Sequence, residues 1–396
     1  MSQPSIRTRM TARSPGEQNR ASTPLELLFD LTFVVAIAQV AAPLATRIAE
    51  GHGLDGVVPY LMVFFAIWWA WMNFTWFASA YDTDDVPYRL LTMLQMAGVL
   101  VLAAGVPAAF AGQDYVAVTI GYLIMRVGLV SQWLRAGIEH PHGRVTAFRY
   151  AAGVATVQIG WVARLAVPHD LTVLTFVILA VADLSVPLWA ERTGMTSWHP
   201  HHIAERYGLF TIILLGESVS AATVAVKGSL SASGVSVELV EVAIGGLILL
   251  FALWWLYYLE PAGEGLAARR ERSFLWGYGH YLLFAALAAV GAALEAAFEH
   301  GSRETLISDA AAALALAVPV ALFLVLLVAL HAPIVERLEI RPIAMAVAAV
   351  LVLASPLAAP AIGVPSTVLA IGLVVAALAA VTIADPRRRD GAPEAA

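Results

Sequence analysis

The sequence contains no cysteine and only one lysine, Lys227. Without cysteine, disulfides, thiolate catalysis and sulfur-ligated metal sites are excluded, although the compartment stays open. Charged residues are also scarce, at 13% of 396, whereas 60% of the residues are hydrophobic and the mean hydropathy is +0.77. So few charges cannot cover the surface of a soluble protein of this length, and the chain is predicted to be a polytopic membrane protein. The use of arginine instead of lysine, with abundant alanine and valine, is typical of a bacterial genome rich in G and C.

The short motifs of soluble catalysis are absent as well. The sequence has no Walker phosphate loop, dinucleotide fingerprint, nucleophile elbow or catalytic carboxylate pair with supporting spacing. We therefore expect no cofactor, no nucleic-acid partner and no enzyme activity. Residues 1–20 lack the apolar stretch of a signal peptide, so the first helix is expected to direct insertion.

Apolar runs of about 20 residues, the length that crosses a bilayer core of about 30 Å, occur twelve times. They lie near residues 25–48, 57–80, 87–111, 115–137, 147–167, 170–190, 203–226, 236–259, 274–298, 306–331, 342–360 and 363–384. The predicted fold is therefore an all-α polytopic membrane protein with about twelve transmembrane helices. The last two boundaries are the least defined, because prolines and a glycine crowd the junction near residue 360.

The basic residues are unequally distributed between the two predicted sides. If the N-terminus is cytoplasmic, the tails and even-numbered junctions hold 18 of the 23 basic residues, including Arg387 to Arg389. The opposite side holds four, including Arg303, and Arg126 lies within a helix. This bias predicts cytoplasmic termini in the bacterial cytoplasmic membrane, with residues 1–23 as a disordered basic tail and 385–396 as a second tail.

The helix that begins at Pro24 is echoed weakly by the helix that begins near Glu205. The two segments align weakly at an offset of 179, and the tryptophan pair that begins at Trp68 recurs at Trp254, an offset of 186. We therefore predict two parallel six-helix pseudo-repeats, residues 24–200 and 201–384. The aligned polar residues are Glu26 with Glu205, Thr32 with Thr211 and Gln39 with Ser218, and the mid-helix acids are Asp30 and Glu217.

Two acids lie well inside predicted helices. By helical rise, Asp30 is about 8 Å from one membrane edge and Glu217 about 9 Å from the other. Each is either a proton carrier or fixed counter-charge, or a structural group that holds a helix junction. Because ionisable groups are expensive in a bilayer, we expect the two acids to face a shared polar cavity. Glu26 and Glu205 lie near helix ends, where the helix dipole favours a carboxylate in any case.

Other polar residues also fall within apolar runs. Arg126 and Asp183 share a depth, which favours a buried structural pair over anion binding by Arg126. His280 is either a proton relay or a core histidine bonded to a neighbour. Asn73, in a tryptophan-rich helix, needs a hydrogen-bond partner.

The junction before the seventh helix is rich in histidine. His199, His201 and His202 lie beside Glu205, and zinc could use such a set. No second ligand pair accompanies them, however, and histidines are common at membrane edges, so no metal site is expected. Asp82, with the acids that follow it, forms either a solvated loop or a cation vestibule at a cytoplasmic mouth.

Three stretches carry a resemblance to a known family. These are E-L-x-F-D-L-x-F-V at Glu26 to Val34, the tryptophan-rich run that ends at Asp82 to Asp85, and H-x-x-E-R-Y-G-L-F…L-G-E-S at His202 to Ser218. Together they closely resemble the bacterial low temperature requirement protein A family. The resemblance implies a multi-pass bacterial membrane protein linked to growth in the cold, without a defined activity. Phe29 to Ala38 is also similar, much more weakly, to the first helices of a two-repeat lysosomal potassium channel family.

The main functional hypothesis is a secondary transporter or ion-conducting protein for a small solute or cation. Coupling to protons through the intramembrane carboxylates is one form of it. The alternatives are an intramembrane enzyme acting on a lipid or lipid-linked group through His199 to Glu205, and a structural or regulatory protein for cold growth. Expected partners are membrane lipids, an unidentified small solute or ion, and a second copy of the chain.

Overall fold

The computed structural model describes residues 6–17, 20–112, 114–300 and 307–385. Every apolar run predicted from the sequence forms a helix in this structure, and no strand occurs in the described residues. The first six helices are α1 (Pro24–Ala49), α2 (Gly53–Tyr81), α3 (Val86–Gly112), α4 (Val116–Glu139), α5 (Arg144–Ala163) and α6 (Thr172–Ala190). The others are α7 (Pro200–Ser233), α8 (Val237–Tyr258), the short α9 (Ala262–Ala268), α10 (Ser273–His300), α11 (Asp309–His331), α12 (Pro342–Ala354) and α13 (Ala359–Ile383). Arg303 and Arg387 to Arg389, which contribute to the predicted charge bias, lie outside the described residues.

Ten helical segments in the described part of the chain are long and apolar enough to cross a bilayer. The prediction of an all-helical, multi-pass membrane protein is thus confirmed. α5 and α12 are the two predicted spans outside this set. α5 carries Arg149 and Gln158 within its 20 residues, which lowers its hydropathy, and α12 has only 13 residues.

The ends of several helices follow from local sequence. Ser236 and Ser308 cap α8 and α11, since their side chains accept hydrogen bonds from the amides of Leu239 and Ala311 at 3.2 and 3.3 Å. α13 begins earlier than predicted and is interrupted at Gly363, whose φ of +81° is favourable for glycine. The crowded prolines therefore produce a break inside α13 as well as the gap after α12.

The chain divides into two compact units, Met1–Val40 with Pro59–Arg206, and Ala41–Val58 with Tyr207–Ala396. In the first unit, α2 is a core helix, and Trp68, Trp69 and Trp71 are completely buried. They are therefore not residues of an interfacial aromatic belt.

Close helix contacts in the first unit depend on glycine. A Cβ atom at Gly121 of α4 would lie 2.3 Å from the Leu102 nitrogen of α3. Only the absence of a side chain allows these two backbones to approach so closely, as is common in membrane helix packing.

The second unit uses the same device between α8 and α13. A Cβ atom at Gly372 would lie 2.5 Å from the Gly245 carbonyl oxygen. Its tryptophan pair, Trp254 and Trp255, is exposed, in contrast to the buried pair at Trp68 and Trp69. The two-repeat arrangement stays a prediction.

Candidate functional site

Glu26 is fixed at the start of α1 by a capping box. The Thr23 hydroxyl accepts a hydrogen bond from the Glu26 amide at 3.3 Å, and the Glu26 Oε2 atom accepts one from the Thr23 amide at 2.8 Å. This reciprocal pair satisfies two donors at the helix N-terminus. It leaves the other carboxylate oxygen, Oε1, pointing into the first unit.

Two residues from the first turns of α7 face that oxygen. The Arg206 Nη1 and His202 Nε2 atoms each lie 3.1 Å from Glu26 Oε1, and all three side chains are fully buried. His202 and Arg206 are four residues apart and so share a helix face, as Glu26 and Asp30 do on α1. Two i,i+4 pairs therefore meet face to face.

Asp30 lies one turn deeper along α1. Its Oδ1 atom accepts hydrogen bonds from Arg206 Nη2 and from the Trp71 indole of α2, both at 2.7 Å. Its Oδ2 atom has no hydrogen-bond partner in the part of the chain that the structure describes. An acid that is only 2% exposed therefore has one unpartnered acceptor beside a guanidinium.

Arg20 and Asp82 extend these contacts to the helix edge. The Arg20 Nη2 atom lies 3.5 Å from both Glu26 Oε1 and Asp82 Oδ2, and its side chain is 3% exposed. We call the resulting set the charged cluster. It comprises Arg20, Glu26, Asp30, Asp82, His202 and Arg206.

The charged cluster is not electrically balanced. It contains three carboxylates and two guanidiniums, so it carries one net negative charge when the carboxylates are ionised and His202 is neutral. Arg13, which touches Asp82 at 3.3 Å, also pairs with Glu17 and leaves this balance unchanged. One proton or one monovalent cation would make the cluster neutral.

The environment of Asp82, in the junction after α2, favours binding of a proton there. Burial, together with the neighbouring charge of Glu26, raises the pKa of Asp82 to about 6, despite Arg20 and Arg13. Asp85 behaves in the opposite way: burial raises its pKa, but hydrogen bonds from Arg135, the Thr8 amide and the Tyr88 amide outweigh burial and hold the pKa below its ordinary value.

The described residues of the N-terminal segment contact the ends of α2 and α4. Among its described residues, Met10 and Arg20 are buried, and the Arg13 amide donates to the Ala80 carbonyl oxygen at 2.9 Å. Glu139 of α4 accepts from the Met10 amide at 2.6 Å. Arginines and amides among its described residues thus meet carboxylates at the ends of α2 and α4.

Arg126 and Asp183 are both buried and belong to one network, but Tyr122 bridges them. The Tyr122 hydroxyl accepts from Arg126 and donates to Asp183 at 3.3 Å. Asp183 also accepts from the Trp161 indole at 2.8 Å. The bridging hydroxyl of Tyr122 was not anticipated from the sequence.

In the second unit, the predicted residues form two separate groups. His280 is buried, with Nδ1 2.7 Å from the Trp276 carbonyl oxygen and Nε2 3.3 Å from the Tyr257 hydroxyl. Its ring also contacts that of Tyr207, with centroids 4.9 Å apart, which links His280 to α7. Glu217 is half-buried, and its charge interacts with that of Glu295 on α10.

The side chains of other predicted residues form hydrogen bonds within their own helices or are exposed. The side chains of Thr32, Asn73 and Ser218 bond carbonyl oxygens three or four residues earlier, at 2.7, 2.7 and 3.0 Å. Gln39 is exposed. Asn73 thus finds its partner locally.

The histidines and Glu205 do not converge. His199 contacts the Glu17 carbonyl oxygen at 2.9 Å, His202 faces Glu26, and His201 is exposed. Glu205 is exposed and accepts from the Ser22 amide at 3.2 Å. No group of three metal-ligating side chains occurs among the described residues.

Sequence reasoning missed three members or neighbours of the site. Arg206 and Arg20 were counted only as cytoplasmic charges, and Trp71 only as an aromatic. The available signal was the i,i+4 spacing of His202 and Arg206, which repeats the spacing of Glu26 and Asp30. Arg20 carried no such signal, because its burial depends on the fold of the segment before α1.

Comparison with known proteins places these residues in a family context. A profile described as Bacterial low temperature requirement A protein matches residues 21–381. The chain is also 28% identical over 282 residues to an uncharacterised protein of Rhizobium meliloti (strain 1021). That alignment covers 67% of this chain and 66% of the relative, slightly less than two thirds of its length. The charged cluster lies inside the profile match, except for Arg20, which immediately precedes it.

Proposed function

This chain belongs to the bacterial low temperature requirement A protein family, and we propose that it is a proton-coupled secondary transporter or ion-conducting protein for a small solute or cation. The family description names a requirement at low temperature and no reaction. The proposal therefore rests on the chemistry of the charged cluster in the first unit.

The observation that supports it is the unequal charge of the cluster. Three carboxylates surround two guanidiniums within side chains that are nearly inaccessible to water. On insertion scales a charge at the bilayer centre costs roughly 2.5–3.5 kcal/mol, so an unbalanced buried charge is usually retained for function. Binding one proton or one cation removes the imbalance.

The geometry suggests how a proton would be held. Asp82 lies at the helix edge, and its raised pKa allows protonation near neutral pH. Glu26 and His202 come next, 3.1 Å apart, and Asp30 lies one turn deeper with its free Oδ2 atom. Arg206 contacts both deep acids and would change its preferred partner when one of them is protonated.

Glu217 is the proposed carboxylate of the second unit. It is half-buried within a membrane-spanning helix, and its charge repels that of Glu295. Two like charges in such an environment favour uptake of a proton or cation between them.

We also propose the finer topology. All twelve predicted spans cross the bacterial cytoplasmic membrane in two parallel six-helix repeats, with both termini cytoplasmic. The arginine bias supports this orientation. Within the first unit, the contacts of the N-terminal segment with the ends of α2 and α4 agree with a common side for those elements.

The experiment that tests the function uses purified protein in liposomes that enclose a pH-sensitive dye. A potassium diffusion potential is imposed, and internal pH is followed with and without a panel of small solutes and monovalent cations outside. Proton entry that depends on one solute would support a coupled carrier, and ion flux without solute a conducting protein. Flux equal to that of empty liposomes under every gradient, with protein of verified fold, would contradict the proposal.

A further inference from the structure

A groove of about 530 Å³ runs along the surface of the first unit between α4 and α5. Its walls are mainly apolar and include Val127 and Ile159, which are 51% and 71% exposed. This volume lies within the range of small-molecule sites, which are mostly apolar with a few fixed polar groups.

Three polar side chains line this groove: Ser131, whose hydroxyl donates to the Val127 carbonyl oxygen at 2.8 Å, and the buried Gln158 and Arg126. Gln158 is 5% exposed, and neither its amide nitrogen nor its amide oxygen has a hydrogen-bond partner among the described residues. Arg126 is 3% exposed, and its Nε atom is also unpartnered there. Buried polar groups are nearly always satisfied, so three unpartnered atoms beside one groove indicate a ligand.

The depth of Arg126 and Gln158 in the membrane limits the chemistry of a lipid head group that could bind there. Arg126 is 13 residues before the end of α4, and Gln158 is 14 residues after the start of the adjacent α5. At 1.5 Å per residue, both lie about 20 Å from the α4–α5 turn. This position is below the phosphate level of a bilayer, where a second charge would be costly.

The charge of Arg126 already has a counterpart. Its guanidinium donates to Tyr122, which donates in turn to Asp183. An anionic head group would therefore add an uncompensated charge. A hydroxyl, in contrast, accepts from the free donors of Arg126 and Gln158 and donates to the Gln158 oxygen.

We propose that this groove binds a single-chain lipid with an uncharged, hydroxyl-bearing head group, whose acyl chain lies along Val127 and Ile159. A rotation of the Gln158 side chain presents its amide to the head group. The site is separate from the charged cluster and goes beyond the proposed transport function.

Photocrosslinking of the full chain in nanodiscs tests this proposal. The probe is a monoacylglycerol with a diazirine in its chain, and competitors are monoolein, methyl oleate and oleate. We expect labelling of α4 and α5 peptides, with monoolein competing at least fivefold better than the other two. Equal competition by methyl oleate would show an unselective lipid surface, and stronger competition by oleate an anion site; either result overturns the proposal.

Two variants identify the groups involved. Gln158→Leu removes both amide atoms, and Ile159→Trp fills the groove at an exposed position; each should reduce labelling at least fivefold. Ile178→Trp, at a similarly exposed position on α6 outside the groove, is the matched control and should label as the parent does. Unchanged labelling of both groove variants, with unchanged melting temperatures, would refute the site.

Discussion

Arg206 is the residue on which the charged cluster depends, because it contacts Glu26 and Asp30 at the same time. Arg206→Leu should lower the free energy of unfolding by about 3–5 kcal/mol, since it leaves buried carboxylates without their main counter-charge. Arg89, which pairs with Asp84 at the surface, is the matched control. Arg89→Leu should leave the free energy of unfolding nearly unchanged, because solvent screens this exposed pair.

Thermal unfolding in detergent measures both effects. The double variant Asp30→Leu with Arg206→Leu should melt above Arg206→Leu alone, because it removes both charges together. A double variant that is less stable than Arg206→Leu would contradict the assigned ion pair.

Asp82 and Asp85 should give opposite pH dependences. The folded-state pKa of Asp82 is raised from 3.8 to about 6, so its contribution to stability is full below pH 4 and is lost as pH rises through 6. The pKa of Asp85 is lowered, so its contribution is present above about pH 4 and is lost as pH falls further.

Melting temperatures of the parent, Asp82→Asn and Asp85→Asn between pH 3 and 8 check these signs. The advantage of the parent over Asp82→Asn should shrink from pH 4 to pH 7. Its advantage over Asp85→Asn should shrink below pH 4. Parallel trends for both variants would be inconsistent with the environments described.

Among individual residues, the sequence singled out the acids Glu26 and Asp30 but not the arginine that pairs with them. Glu26 and Asp30 stood out because carboxylates are rare in apolar helices. Arg206 could not be assigned, since an arginine six residues into a helix is equally consistent with the membrane edge. Only the tertiary contact of α1 with the start of α7 distinguishes the two environments.

Helix packing in both units depends on small residues, which allows a direct test at the level of elements. Gly121→Ala places a methyl group against the backbone of α3 and should destabilise the protein by about 1–3 kcal/mol. Gly216 of α7 has open space at its Cβ position. Gly216→Ala should therefore be neutral or slightly stabilising through its higher helix propensity.

Chemical or thermal unfolding of the two alanine variants and the parent measures these changes in stability. A Gly121→Ala protein as stable as the parent would mean that α3 and α4 are not in such close contact.

Helices were the most predictable elements. Apolar length placed a helix at each of the twelve predicted positions, and ten helical segments in the described residues are long and apolar enough to cross a bilayer. The end of α12 and the break in α13 were harder to predict. A helix boundary is possible at each of four residues there: Pro356, Pro360, Gly363 and Pro365. The contacts of the described N-terminal residues could not be predicted, because they are made with distant carboxylates, Glu139 among them.

For the molecule as a whole, the arginine bias predicts where the termini lie. A reporter fused after Ala396 should be active only in its cytoplasm-reporting form. Fusions in the α4–α5 turn should behave in the same way, and fusions in the α3–α4 turn should give the opposite result. Extracytoplasmic activity at Ala396 would contradict the proposed orientation.

The proton flux of Asp30→Asn in liposomes tests the central claim most directly. Asparagine keeps an oxygen for Trp71 and Arg206 but cannot ionise, so the variant should remain folded and lose pH-dependent flux. Glu205→Gln, at an exposed acid on α7, should retain the flux of the parent. Loss of at least tenfold in Asp30→Asn alone is the predicted result. Equal flux in parent, Asp30→Asn and Glu205→Gln would show that the charged cluster is a structural network and not the path of the proton.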